Sequence, residues 1–255
     1  MDNFVDERDY KLIEGDKYTF FVLRKIIGWD CSLLLSDHEK LIICHSANPY
    51  PVWIWTPDDA SDEELERAYI IAKENNLIDG EHTFNTKDEL AEYFIKRASE
   101  EGINMNIKTN MFAYDCPEPI KPEYLSDGKI HRCVPEDKEE LVEILDLFHK
   151  ETGVDQKNIE EYKKDADFFI NCQEMYFWKD NEGNTVASCK NSIEGELASI
   201  NIVFTRPEYR RKHYAENLVY EVSIKAKNAG YLPMLYTDAD YVASNACYEK
   251  IGYVL

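Results

Sequence analysis

Ser199-Ile200-Asn201-Ile202-Val203-Phe204-Thr205, followed by Arg206-Pro207-Glu208-Tyr209-Arg210-Arg211-Lys212-His213-Tyr214-Ala215, is the stretch on which the reading of this chain turns. Its apolar, β-branched opening predicts a strand. From Arg210 to Ala229 the spacing of Ala215, Leu218, Val219, Val222, Ala226 and Ala229 predicts an amphipathic helix with that stripe buried. Gly230 stands where helices commonly end. A strand that runs through basic residues into a helix is suited to hold a phosphate. The first-turn N–H groups of the helix have no intrahelical acceptor, and the macrodipole favours an anion there.

Further on comes Tyr241-Val242-Ala243-Ser244-Asn245-Ala246-Cys247-Tyr248-Glu249-Lys250-Ile251-Gly252-Tyr253. Together the two stretches resemble the GNAT superfamily of acyl-CoA-dependent N-acetyltransferases. The family's phosphate loop reads Arg/Gln-x-x-Gly-x-Gly/Ala. Arg210, Tyr214 and Ala215 fit that frame, and His213 stands at its first glycine. Asn245, Tyr248, Glu249, Lys250, Gly252 and Tyr253 match the second motif. The likeness covers the last half of the chain.

The resemblance implies acetyl-CoA as co-substrate and direct attack by an amine, with no covalent enzyme intermediate. Backbone groups of Val203, Phe204 and Thr205 would pair with the pantetheine arm. The amides of Arg211, Lys212, His213, Tyr214 and Ala215 would hold the diphosphate, with positive charge from Arg210, Arg211 and Lys212. Asn245 would hydrogen-bond the cofactor arm, and Tyr248 would protonate the leaving thiolate as a general acid. His213 is expected in helical φ/ψ, where its Cβ is tolerated and its ring N–H can reach a phosphate. Each role has a plainer counterpart: a core strand, a solvated helix start, a helix-capping Ser244 or Asn245, a packed aromatic.

Composition sets wider bounds. The chain has 255 residues, 44% of them hydrophobic, with 17 Tyr and 11 Phe, enough for one large or two modest cores. A formal net charge of −21 argues against nucleic-acid or anionic-membrane partners. It favours a cationic amine or basic peptide as acceptor, although solubility alone also explains it. Cys31, Cys44, Cys116, Cys133, Cys172, Cys189 and Cys247 are scattered without a Cys-x-x-Cys, which points to a reducing, cytoplasmic setting. The acidic N-terminus does not read as a secretion signal, and no apolar run approaches a membrane span. His131 and His149 lack metal-ligand spacing, so no metal is expected.

The fold class expected is α/β of the α+β type: a mixed, mostly antiparallel sheet flanked by helices over 123–255, after an N-terminal α+β domain over 1–122. The N-terminal half reads as a helix at Asp16–Gly28, a hairpin of Ser32–Leu35 and Lys40–Cys44, a strand at Pro51–Trp55, helices opened by capping boxes at Ser61 and Thr86, and a strand over Ile103–Tyr114. It could be a degenerate copy of the second half, but no internal sequence repeat shows this. Pro117, Pro119 and Pro122 mark the linker. After it the order is β-α-α-β-β-β-α-β-α, the order of the GNAT fold, with Asp137 expected to cap the first helix.

Only a stub follows Tyr253 where the family has further strands. A partner chain (a homodimer), the N-terminal half, or nothing at all could fill that edge. Glu194 and Glu196 are the candidate bases for the amine. Cys189 and Cys247 are expected to be buried or inert rather than nucleophilic. The alternative to an enzyme is a non-catalytic GNAT-like module that binds acyl-CoA or a partner.

Overall fold

The computed structural model describes residues 1–153 and 156–255. It divides into two compact units, Met1–Thr109 and Asn110–Leu255.

The first unit runs α1 (Glu7–Leu12), α2 (Phe21–Ile26), β1 (Leu33–Ser36), β2 (Ile42–His45), β3 (Val52–Trp55), α3 (Asp62–Glu74), β4 (Phe84–Asn85) and α4 (Asp88–Glu100). Its four-stranded sheet has the order β1-β2-β3-β4. The first three strands are antiparallel, and β4 joins β3 in parallel after the α3 crossover. The predicted capping box opens α3. Ser61 Oγ accepts from the Glu64 amide, and Glu64 accepts from the Ser61 amide at 2.8 Å. The stripe Leu65, Ala68, Tyr69 and Ala72 is buried as its spacing requires.

Other expectations need correction. No box forms at Thr86: Lys87 occupies the cap position without a side-chain cap and pairs with Asp16 at 2.7 Å. The helix expected over Asp16–Gly28 is confined to Phe21–Ile26.

The second unit runs β5 (Met111–Asp115), β6 (Lys129–Arg132), α5 (Lys138–Thr152), α6 (Ile159–Asn171), β7 (Met175–Lys179), β8 (Thr185–Glu194), β9 (Leu197–Thr205), α7 (Tyr214–Asn228), β10 (Leu232–Asp238) and α8 (Val242–Lys250). Its six-stranded sheet has the order β5-β10-β9-β8-β7-β6, and only β9 and β10 are parallel. Alternation along β7 sends Tyr176 and Trp178 to one face, where Leu218, Val219 and Val222 of α7 pack with Tyr248 of α8. Met175 and Phe177 go to the other, under Leu141, Ile144 and Leu145 of α5 and Tyr162 and Ala166 of α6. Asp137 does not cap α5 with its side chain; it accepts instead from the Val134 amide and pairs with His131 and Lys179.

The unfilled sheet edge has an answer within the chain. Of the strand expected over Ile103–Tyr114, only β5 forms, and it pairs antiparallel with β10 from Met111↔Asp238 to Asp115↔Met234. Val254 then bridges to Asp115 on the far side of β5. Because β5 completes this sheet, the compact units part near residue 110 rather than at 122.

The two units also share an element order. Each has two helices, an antiparallel meander, a crossover helix, a parallel strand and a final helix. In the first unit a bridge from Asp2 to Ser36 stands where β6 pairs with β7 in the second.

Candidate active site

The parallel strands β9 and β10 stay together only briefly. They pair from Leu197↔Leu232 to Ser199↔Met234 and then part. Beyond that point β10 keeps its antiparallel partner β5, and β9 keeps β8. The cause lies in β9. Its register with β8 shifts between Ser188 and Lys190, and Ile202 there has φ 50°. A β-branched residue in the left-handed region marks a bulge, which bends the strand away from its neighbour. Along Val203, Phe204 and Thr205 the edge of β9 that turns away from β8 is thereby left without a ladder partner, among the described residues, and the Thr205 carbonyl there is taken by Arg210. Their side chains are ordinary core or half-buried groups, with Phe204 in the core under α5.

The open end of this cleft meets the start of α7, which begins at Tyr214 and not at Arg210. A short 3₁₀ turn, Pro207–Tyr209, precedes it. Arg211 and His213 then take left-handed backbone, at φ 60° and φ 62°. His213 is therefore not in helical φ/ψ as the sequence suggested; it is the cap residue of α7 and makes no side-chain cap. Glycine adopts this conformation without strain, which explains physically why a glycine suits the position. Alternating handedness turns successive amides toward one side. Among the described residues, the amides of Arg211 through Glu216 have no hydrogen-bond acceptor in the protein. At its far end α7 stops at Ala229, which is an exposed cap and not part of the buried stripe.

The basic residues divide. The Arg210 guanidinium pairs with Glu151 and donates to the Thr205 carbonyl at 3.1 Å, so its charge is engaged at the strand end. Arg211 and Lys212 are exposed, and among the described residues neither has a carboxylate partner. The Lys212 ammonium lies 5.2 Å from the Tyr209 ring centre. Glu216, buried in the first turn, would oppose an anion, but His213 Nδ1 pairs with it at 2.9 Å.

A strap that the sequence did not reveal crosses this mouth. The Tyr124 ring stacks on His213 with centres 4.9 Å apart. Ser126 Oγ donates to the Lys212 carbonyl at 2.7 Å, and Asn217 Nδ2 donates to the Tyr124 carbonyl at 2.9 Å. Tyr214 donates its hydroxyl to Asp127 at 2.6 Å, and that carboxylate pushes the phenol pKa up to about 12. The phenol of Tyr214 thus serves the strap, while its amide faces the mouth. No motif marks these partners, because they come from the irregular segment after the prolines.

On α8, Asn245 donates to the carbonyls of Asp238 and Ala239 at 3.1 and 3.0 Å, which fixes the turn out of β10. Its Oδ1 is buried and unpartnered, an acceptor suited to an N–H donor. Tyr248 is only 7% exposed and packs among Leu218, Leu235 and Tyr253. Its hydroxyl bonds Ser244, one turn back toward the open end, and burial drives its pKa well above the ordinary phenol value. Ala215 is half-buried. Glu194 and Glu196 flank the β8–β9 hairpin, at the paired end of β9 and not at the open one. Burial raises the Cys247 thiol to about 12 and lifts Cys189 further, consistent with inert side chains. Among the described residues, no helix is long and apolar enough to cross a membrane.

Residues 139–253 match the family model described as Acetyltransferase (GNAT) family. No curated protein matches the chain. Among solved structures, a GCN5-related N-acetyltransferase from Sphaerobacter thermophilus is similar at TM-score 0.64 and 14% identity, over 92% of this chain and 81% of that one. A Drosophila protein is similar at TM-score 0.60 and 12% identity, over 86% and 73%. A GNAT acetyltransferase from Colwellia psychrerythraea is similar at TM-score 0.55 and 11% identity, over 84% and 77%. At such identities the likeness is one of fold. With the parted strands and the family match in one segment, residues 139–253 form a domain of the GNAT acetyltransferase family.

Proposed function

We propose that this domain transfers an acetyl group from acetyl-CoA to a primary amine by direct attack. One observation carries the reading: the strands β9 and β10 part where a run of unpaired amides, Arg211 to Glu216, opens α7. The amides, with Arg211 and Lys212 beside them, hold the diphosphate. The β9 edge at Val203–Thr205, apart from the Thr205 carbonyl that Arg210 holds, pairs with the amides of the pantetheine arm, and Asn245 Oδ1 accepts one N–H. The amine nitrogen bonds to the carbonyl carbon, the C–S bond breaks, and Tyr248 supplies the proton that the thiolate takes. The amine's own proton leaves to solvent. A net charge of −21 draws cationic acceptors, polyamines or basic peptides, toward the protein.

A second reading rests on the depth of Tyr248 and on the Tyr124–His213 stack over the mouth. It makes the domain a non-catalytic acyl-CoA-binding or interaction module. Calorimetry with acetyl-CoA, followed by thiol release with polyamines, aminoglycosides, amino acids and basic peptides, separates the two. Binding with turnover of an amine supports the enzyme. Binding without turnover supports the acyl-CoA-binding module, and absence of binding removes the enzyme and that module and leaves the interaction module.

A further inference from the structure

Away from the family domain, the first unit brings together His45 and His82. Their rings lie 5.0 Å apart, centre to centre, and nearly perpendicular at 81°. Each ring is fixed through one nitrogen. His82 donates from Nδ1 to Asp79 at 2.8 Å, and Asp79 is itself held by the amides of Glu81 and His82. Those amide bonds, His82 first, keep the Asp79 carboxyl down at about 2, so it is a carboxylate acceptor. His45, at the end of β2, hydrogen-bonds the backbone at Ala47 and Tyr50. Its Nε2 is buried and has no partner, in a residue only 5% exposed. Among the described residues, His82 Nε2 also lacks a partner.

A buried nitrogen lone pair left unmet is costly and calls for an explanation. Metal-binding histidines show the same arrangement: Nδ1–H on a carboxylate or backbone carbonyl, Nε2 left to the ion. Two imidazoles bound tetrahedrally at about 2.0–2.1 Å place their ring centres about 5 Å apart. Beside the pair lies a cavity of about 320 Å³ lined by Asn48, Pro49, Tyr50, Glu81, His82 and Thr83. It has room for water. The other histidine cluster of this unit differs. Asp6, Asp9 and His38 present ligand atoms within 4.8 Å of one another, but His38 spends both nitrogens on Asp9 and Asp2, and Asp9 also binds Ser36.

We propose that His45 and His82 bind one first-row divalent ion, zinc or copper(II), and so clip the end of β2 to the loop before β4. Borderline ions that favour imidazole suit this donor pair, and calcium or magnesium do not.

The test is a calorimetric titration of zinc into chelator-treated full-length protein, with thermal unfolding alongside. One equivalent should bind with micromolar affinity and raise the melting temperature by several degrees, since an ion held only by the folded state stabilises it. His82→Gln and His45→Gln should each weaken binding at least tenfold, and His38→Gln should leave it unchanged. Should His45→Gln fail to fold, His82→Gln, at the cavity wall, decides alone. No heat up to millimolar zinc, or unaltered affinity in His82→Gln, would overturn the site.

Discussion

The crossover helices α3 and α7 occupy the same place in two units of like element order, yet their N-termini are opposites. The start of α3 is closed. Ser61 and Glu64 satisfy each other's amides, and Asp62, Glu63 and Glu64 fill the first turn with negative charge. A second anion has neither donors nor field there. The start of α7 is open. Left-handed Arg211 and His213 uncoil the chain, no side chain caps it, and Arg211 and Lys212 stand beside free amides. One topology thus yields a closed helix end and an open one, and a handful of residues at the helix start makes the difference.

Four sets of substitutions probe the contrast. The largest effect is expected from Tyr248→Phe, which should lower turnover about a hundredfold, as loss of a general acid does. Acetyl-CoA affinity should stay unchanged; unchanged turnover would remove Tyr248 from the chemistry.

Next come two glycines at close approaches between the segment joining β5 to β6 and the rest of the second unit. A Cβ on Gly128 would fall 2.1 Å from the Lys179 carbonyl oxygen, and one on Gly252 would fall 2.4 Å from that of Glu118. Either Gly→Ala change should cost roughly 2 kcal/mol or more by denaturant unfolding. Gly102 of the first unit has φ +77° but open space around it, so Gly102→Ala should cost about 1 kcal/mol, from backbone strain alone. Equal costs at the three positions would contradict the close approaches at Gly128 and Gly252.

Third, the double change Arg211→Glu with Lys212→Glu gives α7 the acidic start that α3 has. Coenzyme A affinity should fall about tenfold or more, and the fall should shrink at high salt. Last and smallest, Ser61→Ala opens the α3 cap. It should cost about 1 kcal/mol of stability and leave coenzyme A binding untouched.

Much of this was legible in the chain because local rules decide it. The α3 box follows from Ser61 and Glu64, and α8 runs from Val242 to Lys250, within the stretch that carries the second motif. Asn245 and Tyr248 were legible as motif positions, but their surroundings were not. Long-range pairing hid the rest. Nothing in Met111–Asp115 says that it will complete a sheet whose next strand lies more than a hundred residues on. Ile202 is a β-branched residue, a type that disfavours left-handed backbone, and His213 falls in a stretch whose helical spacing begins at Arg210, so neither the bulge nor the uncoiled helix start shows in composition. The Tyr124 stack joins an irregular segment to a ring that the phosphate-loop frame would have made a glycine.

The most direct test of the open helix end is a crystal structure of the protein with coenzyme A. The account predicts diphosphate oxygens within about 2.7–3.2 Å of amides between Arg211 and Glu216, with the pantetheine arm between β9 and β10. Phosphate bound elsewhere, or a Tyr124–His213 stack that keeps the mouth shut against the ligand, would contradict it.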